Sequence, residues 1–104
     1  MRIAVLGAGA WGTALAIRLA RHTPVVLWTR SADHAQSMAL ERENRRYLPG
    51  HALPPELHVG ADLIATIGDA DLLVAAVPSN AFRALATALR ESGCVKPLVW
   101  LCKG

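Results

Sequence analysis

Cysteines, aromatic residues and runs of like charge are all scarce in this chain. Its 104 residues include two cysteines, Cys94 and Cys102, with an expected strand between them. That is no disulfide framework, and it fits thiols kept reduced in a cytosolic setting. His22, His34, His51 and His58 share no ligand spacing and read as surface or loop histidines, so no metal site is expected. No apolar run reaches the roughly 20 residues that span a bilayer, which excludes stable membrane insertion by a helix. MRIAVLGAG holds one basic residue and a short apolar run, with glycines where a signal peptide would continue its core. A cytoplasmic protein is the expectation. The net charge of +3 contains no basic run longer than Arg45-Arg46, so a polyanion-binding tail is not indicated; a small phosphorylated ligand suits that charge as well as nucleic acid does, and no nucleic-acid partner is expected. Charged residues make up 18% and hydrophobic ones 53%, which excludes disorder. A chain this long forms one domain that buries roughly two thirds of its unfolded surface.

The hydrophobic pattern alternates between strand-like and helix-like segments. Arg2 to Leu6 is a short apolar run that stops at glycines, the profile of a strand buried on both faces. Residues 10 to 22 carry Trp11, Leu15 and Leu19 at steps of four and predict a helix. Pro24 to Thr29 predicts a second strand, and Ser31 caps a helix through about Arg42, with Ala35, Met38 and Ala39 on one face. Residues 44 to 56, NRRYLPGHALPPE, hold three prolines and a glycine and predict a long ordered loop. Leu57 to Val59 and Ala61 to Ile67 suggest a brief strand and a helical turn. Asp71 to Val77 is the clearest strand. Ser79 or Asn80 then caps a helix to about Glu91 that carries Phe82, Leu85 and Leu89, and Pro97 to Cys102 is a last apolar strand. Apolar strands alternating with helices predict an α/β fold, a Rossmann-type doubly wound parallel sheet. Met38, Trp28 and Trp100 sit on apolar faces and are expected in the core.

The chemistry concentrates where the first strand meets the first helix. Gly7-x-Gly9-x-x-Gly12 follows a strand and opens a helix, the context that makes this spacing a dinucleotide fingerprint. Gly7 permits the tight turn, Gly9 lets backbone approach a pyrophosphate, and Gly12 lets helix and strand pack closely. The helix N-terminus adds free N–H donors and a partial positive charge. At the end of the second strand, where an acid would bind the ribose 2'-hydroxyl of NAD, the sequence reads Trp28-Thr29-Arg30-Ser31. Arg30 can pair with a 2'-phosphate or stack on adenine, which favours NADP over NAD. Asp33 lies near the acid's usual offset but serves the helix dipole in the first turn. Pro78-Ser79-Asn80 and Lys103 end two further strands. A lysine at a strand's carboxyl end, beside a phosphate site, suits an anionic substrate.

Beyond this geometry, the chain resembles the bacterial type of NAD(P)-dependent glycerol-3-phosphate dehydrogenases. The resemblance rests on GAGAWGTALA at 7 to 16, VLWTR at 26 to 30, N-x-x-YLPG at Asn44 to Gly50, AVPS at 76 to 79 and KG at 103 to 104. It implies a cofactor surface of Gly7, Gly9, Ala10, Trp11, Gly12, Arg30, Pro78 and Lys103. It also implies that Lys103 touches coenzyme and substrate phosphate or carbonyl, and that Arg30 meets the adenosine ribose. Ala10 departs from the serine common in relatives. The implied reaction is reversible reduction of dihydroxyacetone phosphate to sn-glycerol 3-phosphate with NADPH, or NADH, for phospholipid synthesis; the full-length enzyme is compatible with a homodimer. Family members continue into a helical substrate domain, so residues 1 to 104 read as an incomplete N-terminal nucleotide-binding domain with no catalytic residue of its own. Alone, it is expected to bind cofactor weakly and to catalyse nothing. Two other readings share the first domain: another NADP-dependent two-domain dehydrogenase, which N-x-x-YLPG disfavours, and a nucleotide-sensing module, which would have no need of Lys103.

Overall fold

The computed structural model describes residues 1–101. Four residues, Ile3–Leu6, form β1, and every one is buried. Ile3 and Val5 face one side of the sheet while Ala4 and Leu6 face the other, so a single strand feeds two cores. Helix α1 (Ala10–Leu19) returns the chain to β2 (Val25–Trp28). Helix α2 (Ala32–Glu41) starts at Ser31, whose Oγ accepts from the His34 N–H at 3.1 Å, the N-cap expected from sequence. The chain then makes β3 (Glu43–Asn44), β4 (Leu48–Ala52), β5 (Leu57–Gly60), α3 (Leu63–Asp69), β6 (Leu72–Ala75), α4 (Ser79–Glu91) and β7 (Leu98–Trp100).

Five strands form one sheet in the order β5-β2-β1-β6-β7, and every pairing in it is parallel. The chain winds outward from β1 through β2 to β5, crosses back to β6 and winds outward again to β7. The strand order therefore reverses between β1 and β6, and in an open parallel sheet the crevice at the carboxyl ends beside such a reversal takes ligands. One core packs Val5, Leu27, Leu57 and Met38 beneath α1 and α2; the other packs Leu6, Leu73, Leu85 and Leu89 beneath α4. Each such leucine contributes about 1.5–3 kcal/mol by leaving water.

Several expectations are corrected. The segment 44 to 56 is no long loop: β3 and β4 pair antiparallel as a separate two-stranded sheet, with a bulge between Glu43 and Asn44. Two-residue pairing shows no periodicity in a sequence, and the prolines are accommodated because a lone pair of strands is all edge. The first helix ends at Leu19, and its fully buried face is Gly12, Thr13 and Ala16; Trp11, Leu15 and Leu19 are half-buried. Small residues win that face because the helix lies close on the sheet. Pro78, not Ser79 or Asn80, caps α4, and no side-chain hydroxyl or amide bonds the helix end. Met38 is core, as expected, but Trp28 is half-buried and Trp100 is 39% exposed on the edge strand β7, stacked on Phe82 with ring centroids 4.0 Å apart. His34 is buried rather than on the surface. No helix among the described residues is long and apolar enough to cross a membrane, and no group of three or more metal-ligating side chains occurs among them.

Candidate functional site

The turn after β1 is built from glycine for reasons the backbone makes explicit. Gly7 sits at φ +123°, a conformation L side chains rarely adopt, and a Cβ there would lie 2.6 Å from the carbonyl oxygen of Ala76 and 2.8 Å from Cγ1 of Val77. A Cβ on Gly12 would run into the Gly7 carbonyl oxygen itself. Those two glycines are excluded from substitution by protein. Gly9 is different: a Cβ there would meet nothing within 4 Å, so the protein's own packing does not require glycine at this position. The turn is pinned on both sides, by Gly7 N–H donating to Trp28 O at 2.9 Å and Ala76 N–H donating to Leu6 O at 2.9 Å.

Helix α1 starts at this turn with Gly9 as N-cap, without a side-chain cap and without an acid in its first turn. The first four N–H groups of a helix lack intrahelical acceptors, and aligned peptide dipoles place about half a positive charge there. Ala10 and Trp11 are the first two residues of that turn, so their N–H groups are among those on offer to an anion.

A cleft of about 720 Å³ opens over the carboxyl ends of the strands, within the size range of small-molecule sites. Gly7 and Gly9 form its floor, Arg30 stands at the end of β2, and Pro78 comes from the end of β6. Ala10, Trp11 and Gly12, expected at the cofactor surface, are not among the residues that line the cleft. Lys103 lies outside the described residues. No carboxylate is among the residues that line the cleft, whereas two arginines are, Arg30 and Arg46. Both guanidinium groups are exposed and neither makes a salt bridge among the described residues; the neighbouring Arg45 is engaged with Glu41 at 2.9 Å. The charge of the lining and the orientation of α1 both favour an anion in the cleft. Asp33 stands in the first turn of α2 and does not line it, consistent with a role toward the helix dipole.

Sequence reading passed over four residues here. His34, Arg46 and Tyr47 line the cleft, with the His34 and Tyr47 rings edge to face at 5.4 Å. Asn44 is fully buried behind them and binds both the glycine turn and His34. The N-x-x-YLPG motif held the signal for two of them, Asn44 and Tyr47, but only the fold brings that hairpin against the turn. Trp28 also lines the cleft, and its Nε1 is a buried donor without a partner among the described residues. Such an orphan is uncommon in a folded interior and marks the cleft wall as incompletely satisfied by the protein.

Comparison with known proteins agrees with this geometry. Residues 2–104 match the family described as NAD-dependent glycerol-3-phosphate dehydrogenase N-terminus. A glycerol-3-phosphate dehydrogenase [NAD(P)+] of Acidovorax ebreus is 53% identical over 108 residues, which take in 100% of this chain and 32% of the relative. The chain thus spans about a third of the length of the curated relatives it matches. Among solved structures, a glycerol-3-phosphate dehydrogenase from Coxiella burnetii superposes with a TM-score of 0.91 at 40% identity, covering 99% of this chain and 32% of that one. One from Saccharomyces cerevisiae, at 23% identity, covers 100% of this chain and 34% of its own with a TM-score of 0.88, a likeness of fold. With the family matched across all but the first residue, and the glycine turn, open sheet and acid-free cleft in place, the chain belongs to the NAD-dependent glycerol-3-phosphate dehydrogenase N-terminal family.

Proposed function

We infer that this chain is the nucleotide-binding part of an enzyme that reduces dihydroxyacetone phosphate to sn-glycerol 3-phosphate with NADPH or NADH, and that it favours NADPH. The observation that carries the reading is the contrast among the three glycines. Two are required by the protein's own packing, and the third, Gly9, faces open space at an uncapped helix N-terminus. A pyrophosphate is the ligand for which that combination is suited.

The residues fit a bound dinucleotide. Gly9 gives room for close approach at the cleft, the uncapped helix N-terminus that begins at Ala10 adds its partial positive charge, and Pro78 borders the cleft at the end of β6. Arg30, without a salt bridge among the described residues, takes a 2'-phosphate in a charge-assisted pair on this reading. When bound, the reduced nicotinamide supplies a hydride to the carbonyl carbon of the substrate while a proton reaches its oxygen. Lys103, on the family resemblance, holds the substrate beside that reaction. In an intact protein of the relatives' length, residues 1 to 104 are the N-terminal Rossmann domain, and a helical domain completes the substrate site. The product serves phospholipid synthesis, in the cytoplasm, by an enzyme compatible with a homodimer and without a nucleic-acid partner.

The test is a titration with NADPH and separately NADH, followed by tryptophan fluorescence, on wild type and Arg30→Asp. Tighter NADPH binding in wild type, lost in the variant, supports the reading; absence of binding by either nucleotide to the full-length protein sinks it.

A further inference from the structure

Asn44 has no exposed surface, although it belongs to the small hairpin outside the main sheet. Its Nδ2 donates to the Ala8 carbonyl at 2.9 Å and to Thr13 Oγ1 at 2.7 Å. Its Oδ1 accepts from the Tyr47 N–H at 3.2 Å and lies 3.0 Å from His34 Nε2. The amide's orientation follows from the partners, because a carbonyl can only accept and a backbone N–H can only donate. The same logic puts a proton on His34 Nε2, which donates to Oδ1. Two donors and both acceptor sites of the amide are thereby all used, a fully satisfied buried polar group.

The bond to Ala8 has a consequence at the next residue. In a trans peptide the carbonyl oxygen and the following N–H lie in one plane and point in opposite directions. Holding Ala8 O toward Asn44 turns the Gly9 N–H away from it, and that N–H has no acceptor among the described residues. Gly9 is also the residue whose missing side chain leaves the cleft floor open.

We propose that Asn44 is a positioning residue of the dinucleotide site: by gripping the Ala8 carbonyl from the hairpin, it aims the Gly9 N–H at the pyrophosphate. This rests on the dinucleotide reading above. Thr13, Tyr47 and His34 complete the amide's bonding and prevent it from rotating, so the turn's aim depends on a segment with no strand in the main sheet.

The experiment compares steady-state kinetics of the full-length enzyme as wild type, Asn44→Asp and a destabilised control, Lys96→Met, which alters a residue remote from the cleft. Asp keeps the size of Asn but removes both N–H donors and sets a carboxylate against the Ala8 carbonyl. The expected result is a KM for NADPH raised at least about tenfold, the order of one lost hydrogen bond at a charged ligand. kcat and the KM for dihydroxyacetone phosphate should stay within about threefold on the same scale. Should the Asp variant not fold, Asn44→Ser undergoes the same comparison. If the KM for NADPH rises no more than in Lys96→Met, or if kcat falls while both KM values rise together, the role is structural and the proposal is overturned. Wild type that binds neither NADPH nor NADH would overturn the dinucleotide reading itself, a failure visible before any variant is made.

Discussion

The carbonyl oxygen of Gly7 occupies the space that a Cβ on Gly12 would need. Strand, turn and helix are thus locked backbone to backbone, and the Gly12→Ala variant is expected to lose several kcal/mol of stability, in the upper range of single substitutions. Gly9→Ala meets open space at an ordinary φ of −75° and should leave stability unchanged or raise it by about 0.4–1 kcal/mol. It should still weaken NADPH binding. Thermal unfolding and nucleotide titration on both variants check the pair, and an equal loss of stability would contradict the division of roles.

Arg30 lines the cleft, makes no salt bridge among the described residues, and shares the lining with no carboxylate. Arg30→Asp should cost NADPH about 1.5–3 kcal/mol, roughly 10- to 100-fold in Kd, while NADH changes far less or tightens. The wild-type preference for NADPH should shrink with ionic strength, because the extra phosphate is recognised by exposed charge. Kd values at two salt concentrations check both statements.

Arg42 ends α2 in the left-handed region at φ 53°, where glycine would be favoured. The side chain accounts for its presence: Nη2 donates to Pro54 O at 2.6 Å and Leu57 O at 2.9 Å, tying the segment before β5 to the helix end. Arg42→Ala loses these bonds and keeps the backbone strain, whereas Arg42→Gly loses the bonds and relieves it. Both should destabilise, Ala by about 1 kcal/mol more than Gly, the ordinary cost of a side chain in that conformation. Chemical denaturation of the two variants measures the difference.

Lys96 donates from Nζ to the carbonyls of Ile67 at 2.6 Å and Gly68 at 2.7 Å, a cation seated on the last turn of α3. Lys96→Met should lower stability by about 1 kcal/mol through the lost carbonyl partners and dipole interaction. NADPH affinity should be unaffected, since the residue does not line the cleft. A shift in Kd without a shift in unfolding midpoint would refute this.

Much of this molecule is local. β1 is a run of apolar residues stopped by Gly7, and the Ser31 cap of α2 depends on residues within a turn of it; both were readable as sequence. The hairpin was not, because Glu43 and Asn44 pair with Ala52 and Leu48 over too few positions to leave a period. By sequence His34 reads as a surface residue, since a lone histidine near a helix start gives no sign of what covers it. Its partner Asn44 lies ten residues further on, in a segment whose prolines and glycine read as a loop.

The sequence alone determined the parallel sheet, the glycine turn and the replacement of an acid by Arg30, because strand burial, backbone freedom and charge at a strand end are properties of a few consecutive residues. Tertiary structure decided which glycine is free for a ligand, which arginines share the cleft, and that Asn44 holds the turn. Those depend on what stands within a few ångströms across the fold: Ala76 against Gly7, nothing against Gly9, and the hairpin amide against Ala8.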